Sequence, residues 1–349
     1  MNVACLLWRR MSRASAGRWI VMSVRPNFGK AAHPVQWQSN NSMTIAVVIP
    51  TYNHARYLAD AISSVIAQKR PADEIIVVDD GSTDDPAAVV ARFPGVQLIR
   101  QENQGLAAAR NTGLRSCTAS HVVFLDSDDR LLSNALEAGL NCVAKHPDCA
   151  FIYGGYRYIT HDGSACGIDH YSPISGDPNL ALIRHNLIGM HATAVFRRDC
   201  LLEVGGYDGT LRLAEDYDLY LRLVRNHPVA CHPGIVAEYR WHGQNISSDG
   251  MKMLRATLKV LDRHEARMRP NTLEREALQQ GRANWRNHYA WTMLETSHAI
   301  GPSLRAVQLF VRALETSPWF VLLTMKNFVG WRFKQAIPVP LTRLVSRWM

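Results

Sequence analysis

The chain has 349 residues, 47% of them hydrophobic and 20% charged, which is ordinary for a globular protein and long enough for one large domain with an appendage or for two domains. No run of eighteen uncharged apolar residues is present, which excludes a membrane-spanning helix by that test. The formal charge of +9 is a local excess: residues 1–42 hold six Lys and Arg and no acid, the remainder carries only +3, and nucleic acid is therefore a poor inference as a partner. Seven cysteines without a C-x-x-C pair read as reduced thiols of a cytoplasmic protein.

Residues 1–42, with Arg9, Arg10, Arg13, Arg18, Arg25 and Lys30, show neither a helical nor a strand period. They read as a basic leader, as an ordered arm, or as the product of a mis-called start, since Met43 stands just ahead of the first strand. From Met43 the pattern becomes regular. Ile45 to Ile49 is a strand ending in Pro50-Thr51-Tyr52-Asn53-His54, and Leu58, Ile62, Val65 and Ile66 then recur at helical spacing. A second strand, Glu74 to Val78, stops on Asp79-Asp80-Gly81-Ser82, and a third, Val96 to Ile99, leads through Asn103-Gln104-Gly105 into an alanine-rich helix carrying Arg110.

The fourth strand, Val122-Val123-Phe124-Leu125, has no polar alternation, so it reads as a central strand covered on both faces. It ends on Asp126-Ser127-Asp128-Asp129. Carboxylates two residues apart at a strand end can be aimed at one divalent cation, and hard oxygen ligands suit Mg²⁺ or Mn²⁺. The competing reading is that Asp128 or Asp129 caps a helix starting at Arg130. Four strands alternating with helices predict a mostly parallel, doubly wound α/β sheet, whose ligands gather at the carboxyl ends of the strands.

Further on, Phe151 to Ile159 and Ala192 to Phe196 read as strands, residues 161–179 as an aperiodic loop, and Glu215 to Leu223 as a helix opened by acids. Three acids in four residues exceed what a helix dipole calls for. A last strand, Ile235 to Tyr239, precedes Arg240-Trp241-His242-Gly243-Gln244-Asn245-Ile246-Ser247. Residues 250–349 read as a helical extension. Within it, 285–318 resembles one tetratricopeptide-like hairpin or else a plain helical cover. Residues 318–349 combine five Lys and Arg, no acid and six aromatics, which suits either peripheral contact with a membrane or packing back on the domain.

The succession VVIPTYNHARYL, EIIVVDDGSTDD, NQGLAAARNTGL, VVFLDSDDRLL, GGYDGTLRLAEDYDLYLRL and YRWHGQNIS resembles the family 2 glycosyltransferases over roughly residues 43–248. The resemblance implies a GT-A fold at 43–249 and a metal-dependent, inverting, non-processive transfer of sugar from a nucleoside-diphosphate donor, UDP favoured, to an acceptor hydroxyl on a glycan, lipid-linked glycan or protein. It implies a donor nucleotide site from Pro50, Thr51, Tyr52, Asn53, Asp79, Asp80, Asn103, Gly105, Arg110, Asp126 and Ser127, with Asp80 accepting from the base. Asp128, with Asp126, would hold Mn²⁺ or Mg²⁺, and His242 reads either as a further group at the metal or diphosphate or as a satisfied structural residue. Asp216 matches the family's catalytic base, and its neighbour Glu215 is the rival. The resemblance also implies a place in cell-surface polysaccharide synthesis, in the cytoplasm or at the inner membrane face. A catalytically idle sugar-nucleotide-binding or scaffold protein of the same fold is the other reading. No Q-x-x-R-W element of processive synthases is present, no Gly-rich nucleotidyltransferase loop, and no G-x-G-x-x-G after the first strand.

Overall fold

Every residue of β1 (Ile45–Thr51) is buried, which is why its sequence shows no alternation. The strand lies in the middle of a parallel group, between β2 (Glu74–Asp79) and β4 (His121–Phe124), and β3 (Gln97–Arg100) pairs with the far side of β2. This computed structural model describes residues 43–243, 245, 249–268, 272–299 and 303–324. The basic leader, most of residues 244–248 and residues 325–349 of the tail lie outside the described residues.

Helices cover both faces of the parallel group. α1 (Ala55–Ile66) buries Leu58, Ala61, Ile62 and Val65 with Val47 and Ile49 on one face, while α2 (Pro86–Val90) is a single capped turn. α3 (Leu106–Ser116) packs Ala107, Ala109 and Leu114 with Val48 and Phe124 on the other face. The approach of α3 is closest at Gly113, where a Cβ would stand 2.2 Å from Val48 Cγ1. Only glycine fits there, and the alanine-rich face of α3 serves the same contact.

After β4 the connections reverse. The elements are β5 (Arg130–Leu131), α4 (Ala135–Lys145), β6 (Phe151–Thr160), β7 (Ala165–His170), α5 (Pro178–Arg184), a 3₁₀ turn at His191–Thr193, β8 (Ala194–Arg197), α6 (Arg198–Glu203), α7 (Glu215–Leu223) and β9 (Val229–Trp241). The sheet order is β3-β2-β1-β4-β8-β6-β9-β5, with β7 on β6. β8 runs antiparallel to both β4 and β6, β9 is parallel to β6, and β5 is antiparallel to β9. The parallel character predicted for the sheet belongs to β3-β2-β1-β4, and the whole is a mixed sheet flanked by helices, as in GT-A folds.

Two local expectations change. Arg130 and Leu131 pair with Glu238 and Ala237, so the next helix begins at Ala135, and Asp128 and Asp129 do not cap it. Within the expected 161–179 loop, Ala165–His170 forms β7 on the edge of β6, with a register shift at Arg157–Ile159.

Three helices follow: α8 (Gly250–Ala266), α9 (Thr272–Ala299) and α10 (Leu304–Thr316), with a short helical stretch at 318–324. Leu254, Val260, Leu261, Ala277, Leu278, Trp285 and Tyr289 lie in the same core cluster as Val48 and Phe124. A separate small cluster gathers Ala290, Met293, Ala313 and Val321. The 28 residues of α9 make it the cover of the domain, and it crosses α5 so tightly that a Cβ on Gly281 would meet the Ile183 carbonyl oxygen at 2.2 Å.

Candidate active site

The carboxyl ends of β1, β2 and β4 open into one cavity of ≈ 2510 Å³. A single-ligand pocket has about 300–1,000 Å³, so this space has room for two substrates. At the end of β1, Pro50, Thr51, Tyr52, Asn53 and His54 line it. Asn53 adopts φ 56°, a left-handed conformation that Asn tolerates, and its Oδ1 accepts from Thr83 N at 2.7 Å.

At the end of β2 the two acids separate in role. Asp79 is buried behind the cavity wall, where its Oδ1 accepts from Ser82 N at 2.9 Å and its Oδ2 lies 3.4 Å from Arg100 Nε. It braces the turn and is not among the cavity's lining residues. Asp80 lines the cavity and accepts from the backbone N–H groups of Gln104 (2.9 Å) and Gly105 (2.7 Å) and from Gln101 Nε2 (2.7 Å). Asn103 and Gly105 thereby reach the same wall. Arg212 reaches over this turn to donate to Gln104 O at 2.8 Å.

Arg110 joins the two halves of the site. From one face of α3 its Nη1 donates to Glu215 Oε1 at 2.6 Å and its Nη2 to Asp126 Oδ1 at 2.7 Å, while its guanidinium lies over Tyr207. Burial works against the Arg110 charge, yet Asp126 and Glu215 hold its pKa above the ordinary value. Behind it, buried His191 links the hydroxyls of Tyr207 and Tyr220, and burial followed by the nearby Arg110 charge keeps that imidazole neutral. Glu215 is therefore committed to a buried ion pair, and Asp126 is engaged by a cation of the protein itself.

The Asp126–Asp129 turn is fastened by a residue that the sequence reading passed over. Arg240, 1% exposed, donates from its N to Asp129 Oδ1 (2.7 Å), from Nε to Asp128 O (2.7 Å), and from Nη2 to Asp60 Oδ2 (2.9 Å) on α1. Burial, then Asp128 and Asp126, push the Asp129 carboxyl well above its usual range. Ser127 and Asp128 line the cavity. Asp128 Oδ2 and His242 Nε2 are 2.9 Å apart, and Asn245 Oδ1 accepts from His242 N at 3.0 Å.

The ligand atoms of His54, Asp128 and His242 all lie within 4.8 Å of one another. One carboxylate and two imidazoles on three separate elements suit Mn²⁺ better than Mg²⁺, which favours oxygen alone. This donor set differs from the expected one. His54 enters it and Asp126, turned toward Arg110, does not. The only signal for His54 was its place directly after the first strand.

Asp216 lines the cavity from the first turn of α7, with its Oδ1 accepting from Tyr217 N at 2.7 Å. The preceding residue but one, Ala214, is held at φ 57°, uncommon for a side chain other than Gly, Asn or Asp and of the kind found where a site fixes its backbone. Burial, then the charge of Glu215, raise the Asp216 carboxyl to about 7, against the pull of Arg110. Beyond Asp216 the wall is made by Trp285, Asn284 and His288 of α9 and by His185 after α5, with His185 and Trp285 rings 4.7 Å apart.

A parallel half-sheet with acids at the ends of β2 and β4, continued by a mixed half and opening into one large cavity, defines a GT-A fold of the glycosyltransferase class. The model described as glycosyl transferase family 2 matches residues 46–205, and the chain belongs to this family. It is 30% identical over 220 residues to TuaG of Bacillus subtilis, named for teichuronic acid biosynthesis, covering 61% of this chain and 85% of TuaG. It is 31% identical over 209 residues to chondroitin synthase of Escherichia coli, covering 58% of this chain and 30% of that longer protein. In fold it is similar to S. aureus TarS residues 1–349, with a TM-score of 0.57 at 16% identity, covering 82% of this chain and 92% of that one. A mannosyltransferase of Pyrobaculum calidifontis, solved with GDP-Man and Mn²⁺, matches with a TM-score of 0.55 at 18% identity over 93% of this chain and 92% of its own.

Proposed function

We propose that this glycosyltransferase is inverting, cation-assisted and non-processive, and that it moves a sugar from a nucleoside-diphosphate donor, with UDP favoured, to a hydroxyl of a growing glycan. The observation that carries this reading is the pairing, around one cavity, of a His-Asp-His donor set at the β1 and β4 ends with a carboxylate of raised pKa at the start of α7. TarS has been solved with UDP-GlcNAc, and TuaG is named for teichuronic acid biosynthesis, which supports the donor and the setting.

In this reading Thr51, Tyr52, Asn53 and Asp80 border the nucleoside, and Arg110 keeps Asp126 oriented at the cavity wall. His54, Asp128 and His242 would hold the cation, which when bound offsets negative charge on the departing diphosphate. Asp216 accepts the proton of the attacking hydroxyl. Its pKa of about 7 suits that task near neutral pH, whereas Glu215 is held by Arg110. A single displacement inverts the anomeric centre.

The test is a thermal-shift panel of nucleoside diphosphates and their sugars with and without Mn²⁺, followed by assay of sugar transfer. A ligand that binds only the folded chain raises its apparent stability. One donor should stabilise the wild type in the presence of Mn²⁺, and Asp128→Ala should lose that increment while melting cooperatively. Binding without turnover of any donor would reassign the chain as a binding module, and a product of retained configuration would reject the single displacement.

A further inference from the structure

Outer helices of a helical cover normally turn charge toward water, and α10 departs from this. Ala306 and Ala313 face the bundle. On the outer side Leu304, Val307 and Val311, at i, i+3 and i+7, are 77%, 59% and 44% exposed. The helical stretch at 318–324 repeats the arrangement. Val321 is buried, Phe320 and Thr324 line the cavity, and Trp319, Leu322 and Leu323 stand outside, with Trp319 85% exposed. Six of the eleven exposed large hydrophobic residues among the described residues thus fall within 304–323. Scattered apolar residues need no explanation, but two successive helical stretches that each leave large apolar side chains outside do.

The charge of this stretch of sequence is one-sided. Arg305 and Arg312 are exposed beside the stripe, and the chain beyond 324 adds Lys326, Arg332, Lys334, Arg343 and Arg347, against the single acid Glu315 between 303 and 349. The same continuation carries Phe328, Trp331, Phe333 and Trp348. A second copy of the chain, meeting this face with its own, would set these cations against one another. A bilayer of anionic lipid satisfies both features, taking the apolar side chains at its interface and the Arg and Lys at its headgroups.

We infer that α10 and the outer side of residues 318–324 form a docking face for an anionic membrane surface. The contact is peripheral, since no helix among the described residues is long and apolar enough to cross a membrane. It also has a consequence for the substrate. Phe320 and Thr324 share their short helical stretch with the docking residues, and Phe320 lies edge-on to Trp291, which also lines the cavity. That side of the cavity is carried to the membrane, where an acceptor sugar anchored to a hydrocarbon chain is concentrated. The acceptor assignment rests on the glycosyltransferase reading above, whereas the lipid contact does not.

The full chain is sedimented with phosphatidylcholine vesicles, alone and with phosphatidylglycerol added. Binding should require the anionic lipid and fall away at roughly 0.5 M salt, where screening is strong. Replacing Val307, Val311 and Trp319 together by Glu should weaken it at least about tenfold, with melting temperature and oligomeric state unchanged. Arg305→Glu with Arg312→Glu leaves the apolar positions alone and should weaken it too, which keeps the test open if the triple variant fails to fold. Equal binding by wild type and both variants would overturn the inference, as would a dimer broken by these substitutions or stronger binding after removal of 325–349. For the acceptor, transfer to a hexadecyl glycoside in the vesicles is compared with transfer to the methyl glycoside of the same sugar, for glucose and N-acetylglucosamine. Equal transfer to both would reject the anchored acceptor, and so would transfer to neither while donor hydrolysis persists. Loss of all donor turnover would instead sink the glycosyltransferase reading and leave the vesicle result standing.

Discussion

Asp216→Asn separates what a carboxylate does for reaction from what it does to the fold. Its pKa rises from the ordinary 3.8 to about 7, chiefly through burial. A group whose folded pKa is raised binds its proton more tightly in the folded chain, so its stabilising contribution is complete below about pH 4 and is lost as pH rises toward 7. A rise of that size corresponds to about 4 kcal/mol at most, and because Asp216 keeps some solvent contact at the cavity wall the expected range is about 2–4 kcal/mol. Asparagine keeps the shape and the acceptor for Tyr217 N but has no charge to desolvate. Urea unfolding should find wild type and variant equally stable near pH 4, with the variant ahead by about 2–4 kcal/mol at pH 7.5, while kcat falls by about 10²–10⁴ with donor affinity nearly unchanged. A stability difference that does not change with pH would refute the burial argument. Full activity in Asp216→Asn, with loss of turnover in Glu215→Gln, would exchange the two roles.

Arg110→Met should cost about 3 kcal/mol, the lower end for stranding a buried charge, because Asp126 is partly solvated and only Glu215 is stranded. Adding Glu215→Gln should return most of that loss in denaturant titrations, and strictly additive effects would show that the two are not coupled. Gly281→Ala sets a helix-propensity gain of about 1 kcal/mol against about 1–3 kcal/mol of overpacking. Since the obstacle is the Ile183 backbone carbonyl and not a movable side chain, a net loss is expected, and an unchanged urea midpoint would contradict the close crossing. His54→Ala and His242→Ala should each weaken Mn²⁺ binding, measured calorimetrically with a saturating nucleoside diphosphate, at least about tenfold. If His54→Ala binds Mn²⁺ like wild type, that imidazole stands outside the cation's reach.

The parallel half of the sheet was legible because its signals are local. β1, β2 and β4 are continuous apolar runs, the latter two closed by acids, and burial on both faces is what such a run records. Edge strands carry no such record. β7 is held by pairing with one side of β6, so its residues never needed an apolar period, and β5 is two residues long and owes its existence to β9. The acids of the site were legible as residue types at strand and helix ends, but their division of labour was not. That Glu215 and Asp126 meet the same guanidinium depends on α3, β4 and α7 converging in space. Arg240 and His54 were hidden for a related reason, since each acquires its part only when β9 brings residues from the end of the domain beside the β1 and β4 ends.

The sheet and its helical cover share one interior, with Leu254, Leu261, Ala277 and Trp285 in the same apolar cluster as the strands. Modular enzymes often change specificity by exchanging a self-contained cassette. Here the wall expected to select the acceptor is also part of the material that solidifies the donor half, so a shuffled replacement would expose the back of the sheet. New acceptor preferences in this lineage would therefore have to come by point substitution along α9, at cavity-lining polar positions such as Asn284 and His288. Inheritance, in this chain, ties what it builds upon to how it stands.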